Sequence, residues 1–146
     1  MTVHPDMHGE VAGRLAALEQ RYTTTRRAVV ETLSRAGRPV TIPEILSSTP
    51  LLPQSSAYRT LAVLIEAGVA RRVTGDGDHG RFELAEELSG HHHHLVCEVC
   101  GTVDDVPPST RLERALDEAA RAAAEDQGYT VTGHRFDLVG RCPTCR

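Results

Sequence analysis

The stretch HHHHLVCEVCG, residues 91–101, sets four consecutive histidines just before a Cys-x-x-Cys pair, and a second pair, CPTC, occupies residues 142–145. Four thiolates from two such turns form the closed tetrahedral ligand set of structural zinc. The sequence therefore predicts a Zn²⁺ site that joins the start of a C-terminal module to its end. Its predicted ligands are Cys97, Cys100, Cys142 and Cys145.

Three other uses of paired cysteines fit this sequence less well. Disulfides are uncommon in a cytoplasmic chain, and residues 1–10 show no apolar run behind a basic start that would serve as a secretory signal. A thioredoxin-type redox centre needs one pair in a βαβ context. A zinc deaminase places proline before its Cys-x-x-Cys, whereas Arg141 precedes Cys142 here.

The histidine run predicts two further metal sites if it forms a strand. Successive side chains of a strand face opposite ways, so His91 and His93 face one side and His92 and His94 the other. Mixed nitrogen and oxygen ligands suit Fe²⁺, Mn²⁺, Zn²⁺ or Ni²⁺. A solvated polar loop is the alternative interpretation. Each pair of histidines needs further ligands. Glu83 and Asp105 are available for one of the two sites, and Glu113 or Asp117, together with His134, for the other.

Composition and charge limit the class of protein. The chain has 146 residues, enough for one medium domain or two small ones, and no apolar run reaches the roughly 18 residues that cross a bilayer. We therefore expect a cytoplasmic protein with no membrane partner. Residues 14–72 contain nine Arg and four Glu, whereas residues 86–146 contain six Arg and eleven acids. Two modules with different partners are indicated, and a polyanion is a candidate for the first.

The first half has the element order of a winged helix-turn-helix. The first predicted helix spans residues 10–20, and the second is capped within residues 23–25 and runs through Ala36. A short third helix begins near Pro43, and a fourth is capped by Ser55 or Ser56 and ends at Gly68. Strands are predicted at residues 69–73 and 81–84, with a turn at residues 75–78. In this fold the last helix before the hairpin enters the DNA major groove. Its outward positions are predicted to be Ser55, Ser56, Tyr58, Arg59 and Thr60.

The second half predicts a small α/β module. Strands at residues 95–96 and 103–106 precede a long helix at residues 109–127, and strands near residues 129–132 and 135–139 lead to the second cysteine pair. The predicted fold class is α+β: a winged-helix DNA-binding domain over residues 1–85, a hinge at 86–90, and a small C-terminal α/β domain over 91–146 that carries the four-cysteine zinc site.

Together these residues resemble the Fur (ferric uptake regulator) family of bacterial metal-responsive repressors, over nearly the whole chain after about residue 10. The matching motifs are Thr23-x-x-Arg26, Ala57-Tyr58-Arg59-Thr60-Leu61, Glu66-Ala-Gly-Val69, Phe82-Glu83-Leu84, His91–His94-Leu-Val-Cys97-x-x-Cys100-Gly, and Gly128, His134 and Cys142-x-x-Cys145. The resemblance implies a homodimer, with residues 91–146 as its dimerisation and metal-binding domain, that binds palindromic operators in double-stranded DNA when loaded with metal.

The resemblance also implies residue roles. Glu83, His92 and His94, with Asp105 in the peroxide-sensing branch, are similar to a regulatory site near the hinge. His91, His93, His134 and an acid of the long helix, Glu113 or Asp117, are similar to a second site. Many relatives supply a further regulatory histidine where this chain has Arg38-Pro39-Val40. That ligand is either missing or supplied from elsewhere, with His4, His8, Asp76, Asp78 and His79 as candidates.

The predicted function is metal-dependent transcriptional repression of metal-homeostasis genes. Zinc sensors of the family often carry a regulatory cysteine, which this chain lacks, so Fe²⁺ is favoured over Zn²⁺, with Mn²⁺, nickel or peroxide sensing as further alternatives. Arg26, Arg59, Arg71 and Arg72 would contact phosphates or base edges. No His-Glu-x-x-His motif or nucleophile motif supports an enzyme, and no small-molecule substrate other than metal ions is expected. A metal-buffering protein is the remote alternative.

Overall fold

The computed structural model of the chain describes residues 6–73 and 80–146, and its helices and strands form two modules. The first contains α1 (Met7–Ala17), α2 (Thr24–Ala36), β1 (Val40–Thr41), α3 (Ile42–Ser48), α4 (Gln54–Glu66), β2 (Ala70–Val73), β3 (Arg81–Leu84) and α5 (Glu86–Ser89). The second contains β4 (His93–Cys97), β5 (Val103–Val106), α6 (Thr110–Gln127) and β6 (Asp137–Gly140). The expected α+β class is confirmed.

Helix α2 begins and ends where the sequence predicts. The Thr23 hydroxyl accepts a hydrogen bond from the Arg26 N–H and caps the first turn. Gly37 adopts φ 62°, a left-handed conformation that glycine reaches at low cost, and ends the helix. Helix α3 begins with a capping box, because Thr41 and Glu44 each satisfy the other's backbone N–H. These caps orient the helices that surround the first core.

The first core is aliphatic and lies between the helices. Its fully buried side chains come from one face each of α1, α2, α3 and α4, since apolar residues recur there at helical spacing. They include Val11, Leu15, Val29, Val30, Ile45 and Leu64. Leu88 of α5 is also fully buried in this core. The segment predicted as a hinge loop at residues 86–90 therefore contains a short helix anchored to the first module.

The hairpin of the first module is part of a three-stranded sheet in the order β1–β3–β2. Strands β2 and β3 are antiparallel, with Arg71 opposite Glu83 and Ala70 opposite Leu84. Strand β1 adds to the other edge of β3 through Val40 opposite Phe82. The turn predicted at residues 75–78 lies outside the described residues. The register of β2 and β3 sets which side chains meet at the end of the hairpin.

The second module is a sheet in the order β5–β4–β6, with β4 antiparallel to β5 and parallel to β6. Its small core combines Val96 and Val103 with Val73 from the hairpin. Helix α6 is capped by Ser109 and ends at Gly128, as predicted, yet none of its side chains is buried. None of the described helices is long and apolar enough to cross a membrane.

Three local predictions were wrong. Helix α1 begins at Met7 and ends at Ala17, several residues earlier than predicted, because Asp6 caps it. Helix α4 begins at Gln54 after Pro53, with no side-chain cap, so neither Ser55 nor Ser56 has the predicted capping role. No strand forms at residues 129–132 in the described chain. Tyr129 and Val131 are exposed there, and the alternating pattern that suggested a strand has no neighbouring strand to pair with.

Candidate metal centres and nucleic-acid interface

Three groups of His, Cys, Asp and Glu side chains come together in the described chain, and within each the ligand atoms lie within 4.8 Å of one another. We name them the cysteine group, the bridging group and the helix group. The cysteine group is Cys97, Cys100, Cys142 and Cys145. The bridging group is Glu83, His92, His94 and Asp105. The helix group is His91, His93, Glu113 and His134.

The cysteine group forms because β4 and β6 run in parallel and end together. Cys97 pairs with Gly140, and the Glu98 N–H donates to the Gly140 carbonyl at 2.8 Å. This pairing brings the second Cys-x-x-Cys turn onto the first, with Cys100 Sγ 3.8 Å from Cys142 Sγ. Backbone hydrogen bonds therefore bring the two cysteine turns together, and the Cys142 N–H, which donates to Cys97 Sγ at 3.4 Å, adds a contact to a cysteine side chain.

The thiol chemistry of the cysteine group fits a cation. Backbone N–H groups of Cys100 and Cys142 hold the pKa of the Cys97 thiol below its usual range. The neighbouring Cys142 and Cys100 sulfurs raise the pKa of Cys145 to about 12, because adjacent thiols resist ionising together. A bound metal ion would remove this conflict, since it promotes loss of the thiol protons and binds the thiolates that result.

The bridging group joins the two modules. Glu83 lies on β3 of the hairpin, whereas His92 and His94 lie at the start of the second module. His92 Nε2 is 3.0 Å from Glu83 Oε2, and His94 Nε2 is 3.2 Å from each Glu83 oxygen. Glu83 is only 5% exposed and His94 only 8%. The contact between modules is thus made by buried polar groups.

The electrostatics of the bridging group suit a divalent cation. Burial opposes ionisation of Glu83, but hydrogen bonds from His92 and His94 and the charge of Arg71 lower its pKa to about 2. The hydrogen bond to Glu83 raises the pKa of His92 to about 9. Asp105 Oδ1 is buried and has no hydrogen-bond partner in the described chain. An unpartnered carboxylate oxygen beside two imidazoles fits a metal ion, which would take the place of the imidazole protons.

The helix group is organised by one carboxylate of α6. Glu113 Oε1 lies 2.6 Å from His93 Nε2, and Glu113 Oε2 lies 3.0 Å from His91 Nε2 and 3.1 Å from His134 Nε2. The group therefore contains Glu113, and Asp117, the other acid considered, is outside it. One helical turn separates the two acids, about 5.4 Å, which exceeds the length of these contacts.

The outer nitrogens of the histidines also have partners, which help to orient each ring. His92 Nδ1 lies 2.9 Å from the Gly90 carbonyl, and His91 Nδ1 lies 2.8 Å from Glu86 Oε1. His94 Nδ1 lies 3.4 Å from Asp137 Oδ1. Such contacts determine which nitrogen faces a metal. Glu86 and Asp137 were not predicted as partners from the sequence, since only the strand pairing and helix α5 bring them close to the histidines.

Arg38, which occupies the position of the expected extra histidine, lies beside the bridging group. Together with Leu33, Glu83, His92 and Asp105 it lines a narrow cavity of about 10 Å³. Its guanidinium donates to Glu44 Oε1 at 2.7 Å rather than to a member of the group. Among the replacement ligands considered, His8 contacts the Tyr22 hydroxyl at 2.7 Å and is not in the group. The remaining candidates, His4, Asp76, Asp78 and His79, lie outside the described residues.

Helix α4 presents part of the predicted DNA-reading set to solvent. Ser55 and Arg59 are exposed, Tyr58 is 55% exposed, and Ser56 is partly exposed. Thr60 does not belong to this face: it is 7% exposed. It follows Ala57 by three residues and precedes Leu64 by four, so the helix turns it into the core. The prediction that Thr60 faces outward on this helix was therefore wrong.

Arg26 has local partners on the described chain. Its guanidinium donates to the Arg21 carbonyl and, at 2.8 Å, to Gln20 Oε1. These bonds hold the loop between α1 and α2 against the start of α2. A phosphate contact by Arg26 would therefore extend a side chain that already has a structural contact.

Comparisons with known proteins agree with this architecture. The sequence model of the ferric uptake regulator family matches residues 17–139. The ferric uptake regulation protein of Bacillus subtilis (strain 168) is 32% identical over 103 residues, 69% of this chain and 65% of that protein. The match thus spans less than two thirds of that relative. The peroxide operon regulator of the same organism is 28% identical over 129 residues, 86% of this chain and 83% of the regulator.

The fold is similar to that of a solved regulator. The Helicobacter pylori ferric uptake regulator superposes with a TM-score of 0.78 over 99% of this chain and 97% of its own. The sequence identity of the pair is 20%, so the likeness concerns the fold.

We expect the purified chain to retain about one zinc ion at the cysteine group after gel filtration in metal-free buffer, because closed thiolate cages hold zinc tightly. Cys97→Ser should lose this ion and unfold the second module, as measured by elemental analysis and circular dichroism. Val99→Ala changes an exposed side chain within the same turn and should retain the ion. A stably folded, zinc-free Cys97→Ser chain would contradict the assignment.

Proposed function

The chain belongs to the ferric uptake regulator family, a family of transcription regulators rather than enzymes, and we propose that this member is a metal-dependent DNA-binding repressor of metal-homeostasis genes. The observation that carries the proposal is the bridging group, in which Glu83 of the hairpin meets His92 and His94 of the second module. A repressor acts on genomic DNA, so the proposal places the chain in the cytoplasm.

The bridging group is proposed as the regulatory site. A divalent cation, when bound, supplies the positive charge that holds both carboxylates and both imidazoles together. Glu83 then keeps the end of β3 against the start of β4, and this contact sets the angle between the winged helix and the second module. In a dimer only one such angle matches the spacing of two DNA half-sites. Metal binding and DNA binding are therefore coupled through the same contact.

The other two groups have separate proposed roles. The cysteine group is proposed to hold structural Zn²⁺, since a four-thiolate set is closed and leaves no open position. The helix group is proposed as a second metal site, with Glu113 as its carboxylate ligand. The solved structure of the Helicobacter pylori ferric uptake regulator reveals three functional metal-binding sites. This supports the proposal of three metal sites in the present chain.

We infer that the working form is a homodimer on a palindromic operator. Helix α6 has no buried side chain, although Leu112, Leu116 and several alanines recur along it at helical spacing. On β6, Leu138 and Val139 are 45% and 63% exposed. Apolar surface of this extent on a small module supports burial against a second copy.

The DNA-reading surface is proposed to be the exposed face of α4. Arg59 and Tyr58 would contact base edges, and Ser55 and Ser56 would contact phosphates near the start of the helix. Arg26, Arg71 and Arg72 would add phosphate contacts, which position the duplex without reading its sequence.

Fe²⁺ is the proposed regulatory ion. All four cysteines of the chain lie in the cysteine group, so the bridging group offers only nitrogen and oxygen ligands. Such a set suits Fe²⁺ and Mn²⁺ and lacks the thiolate that favours zinc. Zinc, manganese, nickel and peroxide sensing are the alternatives, and the 28% identity to a peroxide operon regulator supports keeping the last of these.

Buffered metal titrations test the proposed function. A duplex selected by the metal-loaded chain from random sequences would be titrated at fixed free Fe²⁺, Mn²⁺ or Zn²⁺ and followed by fluorescence anisotropy. We expect Fe²⁺, or Mn²⁺ as its surrogate, to drive binding more strongly than Zn²⁺ at cellular free-metal levels. Stronger activation by picomolar Zn²⁺ would assign the chain to zinc sensing. Metal-independent binding would contradict the proposal of a metal-dependent repressor.

His92→Ala tests the bridging group. We expect it to remove the metal-dependent gain in DNA affinity, which for a coupled site is about 5–150-fold, because the second module then loses a ligand on the contact to Glu83. Light scattering should still detect the dimer. His91→Ala is the matched control, since its ring belongs to the helix group. Equal metal-dependent gains in His92→Ala and the wild type would remove the regulatory assignment.

Arg59→Ala tests the reading surface. The substitution should weaken metal-loaded DNA binding by about 1–3 kcal/mol, as expected for the loss of a base-edge or phosphate contact by arginine. Bound metal, measured by elemental analysis, should not change. Arg35→Ala removes the same charge from an exposed position on α2, outside the proposed DNA-contacting set, and serves as the control. Wild-type DNA affinity in Arg59→Ala would exclude α4 as the reading helix.

A further inference from the structure

We propose that Arg71 competes with metal ions for Glu83 of the bridging group. The guanidinium binds Glu83 when no metal is present and so weakens the affinity of the group for metal. When an ion binds Glu83, Arg71 is released to the surface of the hairpin formed by β2 and β3. The inference rests on the proposed regulatory role of the bridging group. It adds a residue that is not itself a ligand but determines the metal concentration at which the site fills.

Strand register places Arg71 directly against Glu83. The two residues are cross-strand partners on β2 and β3. The Arg71 Nε–H donates to Glu83 Oε1 at 2.6 Å. The Glu83 side chain is 6% exposed and that of Arg71 is 36% exposed. The charged hydrogen bond therefore has one buried end, at the carboxylate, and one end that reaches solvent.

Glu83 cannot serve Arg71 and a metal ion equally well. Its two oxygens already accept from Arg71, His92 and His94. A divalent ion on this carboxylate would place two further positive charges beside the guanidinium in a poorly solvated site, where like charges repel strongly. The imidazoles offer ring nitrogens that can bind a metal ion, whereas the guanidinium has no acceptor atom to offer one. Arg71 is therefore the cation that has to move.

The structure provides room for that movement. Arg71 and Arg72 line an open cavity of about 120 Å³ together with His92, His94 and Asp137. A guanidinium can leave Glu83 into this cavity without disturbing the aliphatic core. The released guanidinium of Arg71 would then be free for a phosphate contact, in addition to Arg72, an exposed neighbour on the opposite face of β2.

The opposite role for Arg71 makes the opposite prediction. If the guanidinium instead positions Glu83 for metal, as an outer partner of a ligand does, then its removal weakens metal binding. If it competes, its removal strengthens metal binding. The sign of the change in metal affinity therefore separates the two roles.

Calorimetric titration of Mn²⁺ into the full-length, zinc-loaded chain measures this sign. The step that disappears in His92→Ala identifies the bridging group. We expect Arg71→Gln to bind Mn²⁺ about tenfold more tightly, the lower range for losing a competing charged hydrogen bond. Arg72→Gln removes the same charge from the adjacent position and should leave the Mn²⁺ affinity at the wild-type value. Arg71→Lys keeps a cation and should stay closer to the wild type than Arg71→Gln does.

The proposed competition between Arg71 and metal for Glu83 is overturned if Arg71→Gln binds Mn²⁺ as tightly as the wild type or more weakly. This comparison requires that the melting temperature of Arg71→Gln matches that of Arg72→Gln. If Arg71→Gln does not fold, Arg71→Met and Arg71→Lys supply the same comparison, with tighter binding expected only from the uncharged side chain.

The release of Arg71 is measured on DNA. With Mn²⁺ saturating, the salt dependence of binding to the selected duplex should fall by about one counterion in Arg71→Gln relative to the wild type. An unchanged slope overturns the release. If the wild type itself fails to bind DNA with metal, the proposed repressor function fails, while the Mn²⁺ affinities still decide whether Arg71 competes for Glu83.

Discussion

The rest of the site depends on one buried carboxylate. Glu83 is 5% exposed, and a carboxylate removed from water needs positive partners to remain ionised. The chain supplies them from two modules, with Arg71 on the hairpin and His92 and His94 beyond it. The demand for charge compensation therefore draws the second module onto the end of the hairpin. The same demand makes the contact responsive to an exchangeable cation.

The alternation of side chains along a strand divides the four histidines between two ligand groups. Along β4 and the residues before it, even-numbered histidines face Glu83 and odd-numbered histidines face Glu113. The backbone pairing that orients the histidines also continues to Cys97, where β4 meets β6 at the cysteine group. Three ligand groups thus share a single strand. A change that shifts the register of β4 by one residue would exchange the faces of the histidines and disrupt all three groups.

Local sequence patterns predicted the helices and strands more accurately than they predicted which side chains are in contact. The bounds of α2 and α6 and the strand at residues 103–106 were predicted correctly, because hydroxyl caps, terminal glycines and apolar periodicity act over a few residues. The strand predicted near residue 130 does not form, since a strand needs a neighbouring strand to pair with, and the local sequence pattern does not reveal one. Thr60 shows the same limit: its residue type suits DNA, but the rotation of α4, set by packing of Ala57 and Leu64, buries it.

The sequence by itself determined the ligand types, the spacing of the cysteine pairs and the division of four histidines between two faces, because these follow from covalent order and strand geometry. Only the tertiary structure decided that Glu113 and not Asp117 meets the histidines, that Arg38 lies beside the bridging group without joining it, and that Arg71 holds Glu83. Those outcomes depend on the distances between elements far apart in the chain, which are set by strand register and by how the helices pack.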